Sequence, residues 1–211
     1  YKFWMNSPFQ PRKDFEYARF HQISTDEVYG SIETGSFCEG SPYKPNSPYS
    51  ASKASADMLV RSFNKTYGLN STISISSNNY GPNQNREKYI PMIIDCILND
   101  NPITVYGDGK NIRDWIYVKD HCIVIDKVFY NSESGQSYNI ASKYEINNLD
   151  VIDIISKLLN KRGKINFIQD RYGHDRRYSI NIDKIKNDFN WTPKSNFKEN
   201  LLKFIGHHND L

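Results

Sequence analysis

"SPYSASKASADMLVRSFNKTYG", residues 47 to 68, decides the fold. Ser47 and Pro48 are cap and first-turn residues, and Gly68 stands where a helix would stop. On its N-terminal side "RFHQIS" (19–24) reads as a strand running to a polar edge. On its C-terminal side "STISISSNNYGP" (71–82) reads as a second strand closed by a Gly-Pro turn. Strand, helix, strand is a parallel crossover unit. The rest of the chain continues the alternation. Helix is expected at 89–99, strand at "ITVYG" (103–107), and a strand turning into a helix over "DWIYVKDHCIVIDKVFY" (114–130). Val151, Ile154, Ile155, Leu158 and Leu159 fall at helical spacing and predict a helix over 149–162. "KINFIQ" (164–169) is a further strand, followed by helices near 182–189 and 197–205. The expected class is α/β.

Bulk properties narrow the function. The chain has 211 residues, enough for one ordinary domain or a large and a small lobe. With 27 basic and 24 acidic residues the net charge of +3 is too small, and the basic residues too scattered, to indicate nucleic acid or a membrane surface. Cys38, Cys96 and Cys122 are far apart and in no ligand spacing, which predicts reduced thiols, no disulfide and no structural metal. No apolar run approaches the roughly 20 residues of a membrane span, and "YKFWMNSPFQ" at the start has no signal-peptide pattern. A cytoplasmic protein is expected.

In open α/β sheets, ligands sit outside the carboxyl ends of the parallel strands. "STDE" (24–27) and "SNNYG" (77–81) both follow strands at that edge, so a hydroxyl, two carboxylates and two amides can face one ligand. Tyr49 and Lys53, four apart at the start of the helix, share one helical face. A free tyrosine has pKa about 10. Service as a base near neutrality requires a depression of about three units, about 4 kcal/mol of phenolate stabilisation, of which a nearby ammonium supplies part.

These residues resemble the extended short-chain dehydrogenase/reductase superfamily, in which a strand ending in Ser/Thr and Val-Tyr-Gly precedes Tyr-x-x-x-Lys. The motifs "STDEVYG", "SPYSASKASAD", "SNNYGP", "EKYIP", "VYGDGKNIRDWIYVKDH" and "RYGHDRRY" occur in matching order over residues 19 to 193. Together they are similar to the dTDP-glucose 4,6-dehydratase family. The resemblance implies an incomplete NAD-binding Rossmann-type doubly wound parallel sheet and a smaller sugar-nucleotide-binding lobe. Residues 1–82 would be the remnant of the first, with 113–135 returning to it; residues 83–112 and 136–211 would form the second.

By that resemblance the catalytic set is Thr25, Asp26, Glu27, Tyr49 and Lys53. Tyr49, helped by Lys53 and Thr25, would take the proton of the sugar C4 hydroxyl, with the positive nicotinamide ring of NAD lowering its pKa further. Glu27 would remove the C5 proton and Asp26 would protonate the departing C6 hydroxyl. Ser24, Tyr49, Lys53 and Asn79 would lie against the cofactor. The nucleoside diphosphate sugar, dTDP-glucose, would rest on Thr25, Asn78, Lys88, Tyr89, Tyr106, Arg113, Asn148, Arg171 and His174. Other uses stay open for several of these: Asn148 as a helix cap, Arg113 as a solvated charge, His174 as a loop residue, Tyr106 as a core aromatic. Tyr172 stands where the family's pattern has proline, which leaves the rigidity of its loop open.

No G-x-G-x-x-G or G-x-x-G-x-x-G follows an expected strand. The family carries that phosphate-binding turn in its first strand-helix unit. Residues 1–24 match the end of a later helix and loop, so the chain is expected to be an N-terminally truncated fragment with little or no activity alone. The family also implies a homodimer through helices that include the one bearing Tyr49. The rival readings are a related sugar-nucleotide epimerase or decarboxylase, which needs no acid pair, and a non-catalytic sugar-nucleotide-binding module.

Overall fold

The computed structural model describes residues 18–209. The stretch 1–17, expected to hold the end of a helix and a loop, lies outside them. Strand β1 (Phe20–Thr25), helix α1 (Pro48–Tyr67) and strand β2 (Ser71–Ser76) form the anticipated crossover, with β1 and β2 parallel from Phe20↔Ser71 to Thr25↔Ser76. Helix α1 starts where its sequence says it should. Ser47 caps it by accepting from the Ser50 amide, Ser50 returns the bond to the Ser47 backbone, and Pro48 fills the first turn. Gly68 ends it at φ 65°, a left-handed turn that glycine adopts without a Cβ penalty. Ser50, Ala54, Asp57 and Val60 are buried at i, i+4, i+7 and i+10, one stripe against the sheet; Met58, Leu59, Phe63 and Tyr67 are exposed on the other side.

The stretch 71–82 is not one strand but two. At Ser77 the chain leaves the first sheet, and β3 (Asn78–Tyr80) pairs with β5 (Ile112–Tyr117) in a second one. Hydrogen bonds anchor the switch, since the Ser77 amide donates to the Ile140 carbonyl at 3.0 Å and its hydroxyl to Asp114 at 2.7 Å. A run of small polar residues carries no mark of such a change in the sequence.

Five further helices and four further strands complete the description. These are α2 (Tyr89–Leu98), β4 (Pro102–Tyr106), α3 (Val118–Asn131), β6 (Ser137–Ile140), β7 (Glu145–Asn147), α4 (Asn148–Leu158), β8 (Lys164–Ile168) and α5 (Asp183–Phe189), with α6 (Phe197–Asn209) at the end. The sheets run β1-β2-β6, β3-β5-β7 and β4-β8. Strand β6, inside the segment 136–211 given to the second lobe, pairs parallel with β2 in the first sheet; within 113–135, helix α3 packs on β2 while β5 pairs with β3 and β7. Helix α4 is also shorter than expected, because Asn160 turns left-handed at φ 48° just after it.

Two cores lie on either side of β5. Trp115 and Tyr117 enter one with Ile90, Ile94, Val151 and Phe204, while Ile116 enters the other with Ile73, Ile75, Val124 and Ile140. Strand alternation accounts for this, since successive side chains point to opposite faces. Among the described residues the outer edge of β1 has no strand partner, and Phe20 and Ile23 are exposed along it. The three cysteines are free thiols, and no helix among the described residues is long and apolar enough to cross a membrane.

Behind the first sheet sit two imidazoles. His21 bonds Thr72 and Ser74 at 2.7 and 3.0 Å, and His121 is buried with Nε2 unpartnered among the described residues. Burial holds both at about 4 against an ordinary 6.5, with the Arg19 charge adding to the effect at His21 and His21 itself adding to it at His121. The unfolded chain therefore binds more protons than the folded one between these values, and stability falls as pH drops from about 6.5 toward 4. Urea unfolding of wild type at about pH 5 should lose roughly 1–2 kcal/mol more, relative to pH 7, than that of His121→Gln. Equal losses in the two proteins would contradict the buried neutral state.

Candidate functional site

Thr25 ends β1 in extended geometry and caps a four-residue 3-10 helix, Asp26–Tyr29, accepting from the Glu27 amide at 3.4 Å. This tight turn is why the two acids diverge in environment. Asp26 points inward, 2% exposed, with Oδ2 unpartnered among the described residues. Its carboxyl is pushed up to about 8, chiefly by burial, then by the charges of Glu27 and Asp114. Glu27 is half-buried. Burial raises it too, but the Arg113 guanidinium opposes that rise most strongly, with Arg171 and Lys88 acting the same way. Both carboxyls are raised, but Asp26 lies fully buried while Glu27 faces three cations, a difference in environment of the kind that acid and base roles use.

Tyr49 and Lys53 lie on the first turns of α1. Lys53 reaches across to β1, where Nζ donates to the Ile23 carbonyl at 2.7 Å. Tyr49 is 55% exposed, and its phenol is raised, first by partial burial and then by Glu27 and Asp26. The direction is opposite to the depression a base needs: partial burial acts first, and the acidic groups Glu27 and Asp26 add to it. That same sensitivity places Tyr49 in the field of both acids. Ser24, expected against the cofactor, lies near the end of β1. Its hydroxyl donates to Asp57 on α1 at 2.5 Å, alongside Tyr43, so its side chain points into the helix. Asn79 donates through Nδ2 to the Ser76 hydroxyl and the Ser77 carbonyl, leaving Oδ1 buried and without a partner among the described residues.

On the second side of the site, Arg113 is a buried residue of β5 and not a solvated charge. Its guanidinium donates to the Ile112 and Asp175 carbonyls at 2.8 and 2.9 Å and stacks 4.2 Å from the Tyr178 ring centre. Tyr106, at the end of β4, is partly exposed and covered by Arg171, whose guanidinium carbon is 4.8 Å from the ring centre; His174 meets it edge-on. His174 is no free loop residue, since Nδ1 bonds Asp170 at 2.6 Å. Tyr172 is 98% exposed, yet its loop is fastened on both sides by Asp170 and Asp175.

The remaining expectations divide. Lys88 is the exposed residue just before α2, and its charge bears on Glu27. Asn78 lies on β3 opposite Trp115. Tyr89 donates to the Asn148 carbonyl at 3.1 Å and stacks near Trp115, so these two residues brace α2 against α4. The cap of α4 is Asn147, not Asn148. Three buried residues were not read as part of the site: Asp114, Asp175 and Tyr178. Their only signal was adjacency, in "NIRDW" and "RYGHDRRY", to the residues that were.

A family model described as GDP-mannose 4,6 dehydratase matches residues 10–204. A dTDP-glucose 4,6-dehydratase of Xanthomonas campestris pv. campestris is 42% identical over 214 residues, covering 96% of this chain and 60% of that protein. Among solved structures, a dTDP-glucose 4,6-dehydratase from Bacillus anthracis in complex with NAD superposes with TM-score 0.87 at 45% identity, over 91% of this chain and 62% of that one. DesIV, a dTDP-glucose 4,6-dehydratase from Streptomyces venezuelae with NAD bound, gives TM-score 0.89 at 38% identity, over 91% and 60%. The chain spans about three fifths of the length of the curated relatives it matches.

Proposed function

This chain belongs to the GDP-mannose 4,6 dehydratase family, and from that premise we propose that it carries the catalytic and sugar-nucleotide-binding part of a dTDP-glucose 4,6-dehydratase. One observation carries the reading: Asp26, buried and protonated to about pH 8, beside Glu27, whose carboxyl faces Arg113, Arg171 and Lys88. The reaction needs such a pair. Tyr49 takes the C4 hydroxyl proton, with the Thr25 hydroxyl steadying the same oxygen. Glu27 then takes the proton from C5, made acidic by the new C4 ketone, and Asp26 gives its proton to the leaving C6 hydroxyl. The C5 position is reprotonated at the end, so the products are the 4-keto-6-deoxy sugar nucleotide and one water.

The residues fit the nicotinamide end of NAD. Asn79 offers a buried acceptor that lacks a partner among the described residues, and Lys53, on the same helix as Tyr49, reaches the end of β1. Bound there, NAD+ would accept a hydride from C4 and return it to C6, so that no net oxidation results. The glycine-rich phosphate turn is absent from the sequence of this chain.

On the substrate side, Tyr106 and Arg171 form an aromatic-cation platform suited to a pyrimidine, and Arg113 is placed for a diphosphate. An epimerase would share Tyr49 and Lys53 but has no use for a protonated acid next to a base. The exposed row Met58, Leu59, Phe63 and Tyr67 on α1 supports pairing of two copies. The near-neutral charge and free thiols suit a cytoplasmic enzyme of deoxysugar, dTDP-rhamnose-type, synthesis. Incubating the whole encoded protein and NAD+ with dTDP-glucose tests the activity. The expected product is the 4-keto-6-deoxy sugar nucleotide; recovery of the C4 epimer would establish the rival chemistry.

A further inference from the structure

Asp175 follows His174 in the loop that covers Tyr106, and it is almost fully buried between the two halves of the site. Its carboxylate accepts from Asn46 Nδ2 at 2.6 Å through one oxygen and from the Tyr178 hydroxyl at 2.8 Å through the other. Its backbone carbonyl accepts from Arg113 at 2.9 Å and from Asn111 at 3.2 Å. Asn46 immediately precedes Ser47, the cap of α1, and Tyr49 lies two residues further. The next turn of the loop presses on the same place, where a Cβ added at Gly173 would meet the Asn46 carbonyl at 2.5 Å. One residue thus touches the start of the helix that bears the phenol, the ring beneath Arg113 and Arg113 itself.

We propose that Asp175 is a positioning residue that fixes the distance between Tyr49 and the diphosphate-binding guanidinium of Arg113. It rests on the function proposed above for Tyr49 and Arg113, and it assigns Asp175 no contact with the reacting atoms. Among the described residues the link to Asn46 is the only side-chain bond from Asp175 to the α1 side, and Asn46 is exposed, so it can be cut without opening the core. A bond lost there lets the first turn of α1 drift relative to the sugar. Misplacement of a reacting group by about 1 Å can cost on the order of a hundredfold in rate.

The test compares Asn46→Ala and Asp175→Asn with wild type in the whole encoded protein, by kcat, by calorimetric Kd for dTDP, and by hydrogen exchange at the Ser50 and Ala51 amides. Those two amides bond Ser47 and report the first turn of α1. Asn46→Ala should lower kcat by about a hundredfold, keep the dTDP Kd within a factor of about three because Arg113 retains its partners, and speed exchange at both amides. Asp175→Asn, which disturbs both sides, should weaken dTDP binding as well. Wild-type exchange at the two amides in Asn46→Ala overturns the proposal whatever the kinetics show, and so does an active Asn46→Ala enzyme with wild-type kcat. If wild type does not dehydrate dTDP-glucose, the functional reading fails by itself and the exchange comparison alone decides the positioning.

Discussion

Glu27→Gln should lower dehydration by about a thousandfold while leaving the affinity for dTDP within a factor of about two, because a base at C5 is lost and no nucleotide contact changes. The geometry makes the case. The Arg113 charge acts on both acids, and Arg171 and Lys88 also act on Glu27, where these cations oppose the rise that burial imposes. Glutamine keeps the volume and a hydrogen-bonding oxygen but cannot take a proton. In deuterated water the wild-type product should carry deuterium at C5, and the variant should not catalyse that exchange. Turnover near the wild-type rate would remove Glu27 from the mechanism.

Asp26→Asn should have two opposite effects, a loss of turnover of about a hundredfold or more and a gain in stability. Asp26 is at about 8 in the folded chain against 3.8 ordinarily, so the folded state holds a proton that the unfolded state releases across that window. Stability is full below the lower value and is lost as pH rises through the window. Near pH 7 the cost is roughly 2–4 kcal/mol. Asparagine carries no such cost, so the variant should unfold at higher urea than wild type at about pH 7 and at nearly the same urea at about pH 4. The wild-type rate should decline as pH rises through about 8, where the acid loses its proton. A variant that is less stable at neutral pH would show that the carboxyl is held ionised by partners.

Much of the first half was legible because its signals are local. Ser47, Pro48 and Gly68 mark both ends of α1 by backbone chemistry, and the spacing of Tyr49 and Lys53 fixes their shared face. What could not be read depends on contacts distant in sequence. The switch of sheets at Ser77 rests on Asp114 and Ile140, thirty-seven and sixty-three positions on. The outward or inward aim of a strand residue is of the same kind. Nothing in the sequence shows that the Ser24 hydroxyl turns to Asp57 on α1. The cap of α4 moved by one residue because Asn147 and Asn148 are indistinguishable as letters, and only the backbone decides which one is extended.

The rise of the Tyr49 phenol, set first by partial burial and then by two acids, has in its second part the same origin. Spacing along α1 shows the lysine beside it but not the carboxylates that the turn after β1 brings across. Asp175 was invisible for a different reason. Its importance is that it faces two ways, and a residue's position in a loop does not show what lies behind it.

The most direct measurement is a structure of the whole encoded protein with dTDP-glucose and NAD bound. The account predicts the C4 hydroxyl within hydrogen-bond reach, about 3 Å, of both the Tyr49 phenol and the Thr25 hydroxyl, with Glu27 over C5 and Asp26 beside the C6 oxygen. A hexose seated away from the turn that follows β1, or one whose C5 and C6 face neither acid, would contradict it.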